Sequence, residues 1–253
     1  MTPYLLFTLA APIASFGTVA VGERRPTWDR PSKSQIIGLV AGCLGIERHE
    51  EARQGALAKA LGFAVRIDDP GQLATDYHTT QVPPQRRNRI FATRAEELGV
   101  AKTELKTILS RREYRTGSCY TICIWLKQDG PATLDKIAEA LARPVFAPFA
   151  GRKANALMLP MRPVLIDAEH ISAAFSEYDT GQPQGIGSLL TSLAFAASGK
   201  GNSLIFSDRD GAHGRPIARI EERRDAPESR AKWRFGMRTE VILRGATKTG
   251  DTQ

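Results

Sequence analysis

Arg25-Pro-Thr-Trp-Asp-Arg-Pro-Ser-Lys-Ser-Gln-Ile-Ile-Gly-Leu-Val-Ala-Gly-Cys-Leu-Gly-Ile46 sets the first crossover of the fold. The stretch starts basic and proline-punctuated, passes through Ser32-Lys33-Ser34 and enters an apolar run rich in small residues. Ser32 and Gln35 have capping-box spacing, in which a serine oxygen and a glutamine side chain satisfy two orphan backbone donors. A helix is therefore expected from about Lys33 to near Gly45. Its start offers free N–H groups and partial positive charge, which suits a phosphate. Arg24, Arg25, Arg30 and Lys33 add formal charge there. The same pattern also describes an ordinary capped helix with solvated arginines. Gly38 and Gly42 have the spacing of paired membrane helices, but the apolar run Ile36–Ile46 is too short to span a bilayer. Those glycines read instead as close packing against a sheet or a ligand.

Working outward, Tyr4–Leu9 reads as a first strand, ended by Ala11-Pro12. A second helix follows from Glu50 to Leu61, then a strand at Phe63–Ile67 and a turn at Asp68-Asp69-Pro70-Gly71. Leu73–Thr80 forms another strand. Residues 81–115 have no apolar period and read as a basic excursion, with a short helix within Ala95–Leu109. The body resumes with a strand at Cys119–Leu126 and a helix at Pro131–Ala142. This order, β-α-β-β-α-β, gives an α+β fold: a ferredoxin-like (RRM-like) domain carrying a long basic thumb insertion, plus a small β-rich C-terminal domain. The division expected is 1–160, with the thumb at about 81–115, and 161–253. Met161–Ala174 holds a strand and a short helix. Gly181–Asn202 is a loop or small hairpin, and Ile217–Glu221 and Trp233–Arg244 are strands. Alternation of Arg234, Gly236, Arg238 and Glu240 with apolar residues gives the last strand one charged face.

The net charge of +8 over 253 residues favours a polyanionic partner, nucleic acid before membrane. The excess is concentrated: 81–115 carries nine Lys/Arg against four Asp/Glu, and 212–248 carries ten against five. Three cysteines without paired spacing read as buried free thiols in a reducing, cytoplasmic setting. The histidines at 49, 78, 170 and 213 include no pair with metal-ligand spacing, so neither structural zinc nor another cofactor is expected. The apolar first twenty residues lack a basic n-region and are interrupted by Pro3 and Pro12, which argues against a signal peptide. With no Walker loop, no Ser-His-Asp order and no carboxylate cluster, no catalytic residue is assigned. Phe146-Ala-Pro-Phe-Ala-Gly-Arg-Lys153 places aromatics and a glycine beside two cations, a surface able to stack a base and meet a phosphate. It is equally a loop with buried phenylalanines.

Five stretches together resemble the CasD-type subunit of type I-E CRISPR Cascade, within the RAMP superfamily of CRISPR RNA-binding proteins. They are Tyr4–Gly17; Arg25-Pro-Thr with Pro31-Ser-Lys-Ser and Gly38–Ile46; Asp76-Tyr-His-Thr79; Arg112-Glu-Tyr114 through Trp125-Leu126; and Arg143–Pro148 with Gly151-Arg-Lys153. The chain departs from the pattern at Arg115-Thr-Gly-Ser118, where an acidic residue is expected, and carries extra length at 175–215.

The resemblance implies a non-catalytic subunit that holds and caps the 5′ handle of the CRISPR RNA (crRNA). Its implied partners are the Cascade backbone subunit and the large, PAM-reading subunit, with target DNA met indirectly through the complex and no membrane. The implied RNA contacts are Arg25, Thr27, Lys33 and Ser34 at the helix start, Arg86, Arg87, Arg89, Arg111 and Arg112 along the thumb, and Gly151, Arg152 and Lys153 in the loop. Two other readings remain at this stage. One is a metal-independent crRNA-processing endoribonuclease of the type I-C kind, with Tyr77, His78 and Lys33 as candidates. The other is a stand-alone RRM-like RNA-binding module.

Overall fold

The structure is a computed structural model that describes residues 1–85, 90–181, 204–212, 216–230 and 232–243. The elements in chain order are β1 (Thr2–Ala14), β2 (Arg24–Arg25), α1 (Lys33–Cys43), α2 (Glu51–Ala60), β3 (Leu61–Asp69), β4 (Gln72–Val82), α3 (Arg94–Leu98), β5 (Lys106–Leu126), α4 (Leu134–Ala142), β6 (Val164–Ala168), α5 (Ile171–Thr180), β7 (Ile205–Asp208), β8 (Ile217–Ser229) and β9 (Arg234–Leu243). The chain is thus mixed α/β, with few helices around one large, mostly antiparallel sheet ordered β6-β1-β5-β3-β7-β9-β8. β2 and β4 add to the outer half of β5.

β1 runs unbroken through Pro12, beyond the end expected from sequence. β6 borders β1 only along Thr2–Leu6, so Pro12 lies where one edge of the strand is unpaired by a strand and its missing N–H costs no ladder bond. Both faces of β1 are buried, because alternate residues enter two different cores. Leu5, Phe7 and Leu9 join Phe63, Val65, Ile122 and Ile124 beneath α1, α2 and α4. Tyr4 and Leu6 join Cys123, Trp125 and Val241 beneath Ile171, Ala174 and Phe175 of α5. The three cysteines are buried, and no disulfide joins any of them.

The largest departure from the sequence reading is the 81–115 segment. Its second limb is not irregular: β5 starts at Lys106 and pairs with β4 from Val82↔Lys106 to Gln72↔Thr116. The projecting arm is a hairpin that begins at Gln72, with α3 near its tip. A two-stranded ribbon with both faces wet needs no apolar period, so periodicity could not reveal it. At its base Gly71 has φ +64°, and a Cβ there would collide with the Thr116 carbonyl.

β7 pairs with β3, so β7, β9 and β8 continue the same sheet, and β6 joins β1 from beyond residue 160. On β9 the alternation is as read, but its charged face is inverted: Arg238 and Glu240 point inward. Most of Gly181–Asn202, His213 and Arg244 lie outside the described residues.

Candidate nucleic-acid interface

The opening stretch folds as its capping box dictates. Ser32 Oγ accepts from the Gln35 N–H at 3.3 Å, and the Ser32 N–H donates to Gln35 Oε1 at 2.9 Å. The helix start does not face outward, however. The Lys33 N–H donates to Asp225 Oδ2 at 2.9 Å, and Lys33 Nζ lies 2.5 Å from Asp208 Oδ2. An acid at a helix N-terminus satisfies an orphan donor and the dipole together. Ser34 is buried as well, sharing a hydrogen bond with Ser32 Oγ at 3.0 Å.

Lys33 belongs to a buried ionic cluster that locks α1 to the C-terminal strands. Arg30 meets Glu240 at 2.5 Å, Arg238 meets Asp225 at 2.7 Å, Glu240 at 2.7 Å and Asp208 at 3.0 Å, and Arg223 meets Glu240 at 3.4 Å. Arg30 also stacks on Phe206, 3.6 Å from its centroid. Burial alone would raise the Glu240 carboxyl, but Arg30, Arg223 and Arg238 outweigh it and hold the group below the usual carboxylate range. Arg30 and Lys33, expected at a phosphate, are thus consumed inside. Their sequence neighbourhood is basic, while their acidic partners come from distant strands.

Other expected residues converge outside. β2 lies parallel to the outer half of β5, with Arg24 beside Arg111 and Arg25 beside Arg112. Arg24 forms a salt bridge to Glu113 at 2.6 Å. Burial would raise Glu113, yet this bond and the Thr27 N–H keep its carboxyl lowered. Thr27 is a framework residue, its Oγ1 accepting from the Phe16 N–H at 2.8 Å. Arg25 is exposed and donates locally to the Arg24 carbonyl. Arg111 sits 5.4 Å from the Tyr77 centroid, and Arg112 donates to Ser110 Oγ at 3.3 Å.

The Gly151-Arg152-Lys153 loop closes the group. Gly151 has φ +86°, and a Cβ there would collide with the Ser15 carbonyl at the end of β1. This close approach seats Arg152 4.6 Å from the Tyr114 ring centroid, with its Nη1 lacking a hydrogen-bond partner. Lys153 is exposed. Arg112 and Tyr114 lie two apart on β5 and so share a face. Arg25, Arg112, Tyr114, Arg152 and Lys153 therefore form a basic surface with one aromatic in it, where β5, β2 and the loop meet. Tyr114 was missed as a site residue, though the Arg112-Glu-Tyr-Arg115 run, an aromatic among cations, was its signal. Arg86, Arg87 and Arg89 lie outside the described residues.

The structure does not assemble the nuclease candidates. Tyr77 and His78 are successive strand residues on opposite faces of β4, His78 pairs with Asp76 at 2.9 Å, and Lys33 is in the buried cluster. Among the described residues no His, Cys, Asp and Glu group could hold a metal, and no helix is long and apolar enough to cross a membrane.

The family described as CRISPR-associated protein (Cas_Cas5) matches residues 4–240. The chain belongs to the Cas5 family. This Cas5 chain is 30% identical over 169 residues to the CRISPR system Cascade subunit CasD of Escherichia coli (strain K12), covering 64% of itself and 70% of that protein. It also resembles two solved structures. One, described as a CRISPR RNA-guided surveillance complex, aligns with TM-score 0.62 at 22% identity, over 96% of this chain and 90% of the other. A second, described as a Cas protein, aligns with TM-score 0.55 at 20% identity, over 98% and 100%. At these identities the structural likeness establishes a shared fold alone.

Proposed function

We propose that this Cas5 chain is a non-catalytic, cytoplasmic subunit of a type I-E Cascade-like effector complex, binding and capping the 5′ handle of the crRNA. The observation that carries the reading is Arg152, stacked on Tyr114 with a guanidinium nitrogen left unpaired, at the meeting of Arg25, Arg112 and Lys153. A planar cation on an aromatic, beside backbone that approaches closely through Gly151, suits a splayed single strand with its phosphates. Similarity to the E. coli Cascade subunit CasD supports the complex. We read β6-β1-β5-β3, with α1 and α4 as crossovers, as a ferredoxin-like unit whose thumb is the β4–β5 arm, and β7–β9 as its C-terminal extension. In this reading the arm, with Arg86, Arg87, Arg89 and Arg111, reaches along the guide toward the adjacent backbone subunit. The large PAM-reading subunit docks nearby, and target DNA is met through the complex.

Thr27, Lys33 and Ser34 then act by holding the frame, while Arg25, Arg112, Gly151, Arg152 and Lys153 make the contacts. Arg152→Glu with Lys153→Glu should weaken binding of repeat-derived RNA and reduce the salt slope by about 1.4, the counterions of two single-strand phosphates. Unchanged affinity and slope in a titration over salt would remove this loop from the site. Specific cleavage of that RNA in EDTA by the wild-type chain would reinstate the nuclease reading.

A further inference from the structure

The end of the β8–β9 hairpin carries a surface that the handle site does not use. Trp233 and Met237 are 59% and 60% exposed, and with Phe235 they line a crevice of about 630 Å³. Arg224, Glu228, Arg234, Gly236 and, from the loop leading into β2, Val19 complete its walls. Three exposed large apolar side chains, Val19, Trp233 and Met237, beside Phe235 in one crevice call for a ligand more than a single exposed residue does. The surroundings give that ligand its sign. Arg48 lies 4.1 Å from the Trp233 ring centroid, Arg230 lies 5.9 Å from that of Phe235, and Arg224 donates to the Phe235 carbonyl at 3.1 Å. Among the charged residues that line the crevice, two arginines, Arg224 and Arg234, stand against one acid, Glu228.

Trp233 has φ +50°, a left-handed conformation that is unusual for an aromatic residue. The guanidinium of Arg48 stacks on its indole, so the ring is oriented while more than half of the residue stays open to solvent. An oriented, exposed indole among cations has the chemistry that stacks a base and neutralises its phosphate. The crevice also shares the Val19 loop with β2, whose Arg25 belongs to the handle site.

We propose that this crevice is a second stacking site for single-stranded nucleic acid, reached along the 18–22 loop from the handle site. The proposal deepens the RNA-binding reading, and the strand is either the continuing guide or displaced DNA. The test uses the full chain with oligoadenylate and oligodeoxyadenylate probes of about ten nucleotides. Trp233→Ala should weaken binding by about tenfold or more, with Trp233→Phe recovering most of it. Met237→Ala, a milder change, should weaken binding in the same direction. Tighter binding of the RNA probe assigns the guide, and of the DNA probe the displaced strand. Wild-type affinity in Trp233→Ala and Met237→Ala, with unchanged melting, overturns the proposal. So does normal RNA affinity with loss of co-purifying proteins, which would assign the crevice to a protein. If Arg152→Glu with Lys153→Glu abolishes binding while Trp233→Ala does not, the handle site stands and the crevice falls. Loss in Trp233→Ala alone does the reverse.

Discussion

Lys33 and Lys153 both sit in basic sequence, yet the molecule uses them oppositely. Lys33 is buried, its ammonium against Asp208 in a cluster that ties α1 to β7, β8 and β9. Lys153 is exposed, next to an arginine held on Tyr114. Buried charge must be paired within the chain, whereas an exposed cation costs nothing to leave available to a ligand. The lesson is that a cation's role follows from what the rest of the fold sets opposite it.

Breaking the buried side should have the largest effect. Glu240→Ala leaves Arg30, Arg223 and Arg238 short of a carboxylate and should destabilise by about 3–5 kcal/mol, read by urea denaturation. The same group sharpens the comparison through pH. Its carboxyl is depressed on folding, so its contribution is complete above the unfolded value of about 4.3 and is lost as pH falls through the lower folded value. Wild-type stability should therefore drop through that acid window, and Glu240→Gln should flatten the drop. An equally steep drop in Glu240→Gln would assign acid sensitivity elsewhere.

The direct contrast is Lys33→Ala against Lys153→Ala. Lys33→Ala should cost about 3 kcal/mol, since Asp208 keeps Arg238 but loses its nearer partner. Lys153→Ala should change stability by no more than about 0.5 kcal/mol while weakening RNA binding. Equal stability losses in the two would erase the distinction between them. Also at the small end is Arg24→Ala. Its bridge to Glu113 is made by a side chain that is 69% exposed, so solvent screening keeps the loss below about 1 kcal/mol.

Local rules made much of the fold legible. The Ser32–Gln35 box started α1 where expected, the helix expected at Pro131–Ala142 is present as α4 with a later start at Leu134, and the apolar run at Cys119–Leu126 is the buried inner half of β5. The arm was located by its charge but not its structure, because a wet two-stranded ribbon leaves no periodic signal. The loop Gly151-Arg-Lys153 was legible by composition, whereas its seat on Ser15 and Tyr114 was not, since one partner follows β1, the other lies on β5, and both are far away in the chain.

Capping, alternation and turn chemistry act between near neighbours, and so the sequence by itself determined the helices, the inner strands and the net charge of +8. Only the tertiary structure decided which cations are spent inside and which remain outside. The strand pairing of β3 with β7 brings Asp208, Asp225 and Glu240 beneath Arg30 and Lys33, and such long-range pairing depends on the whole sheet rather than on any local stretch.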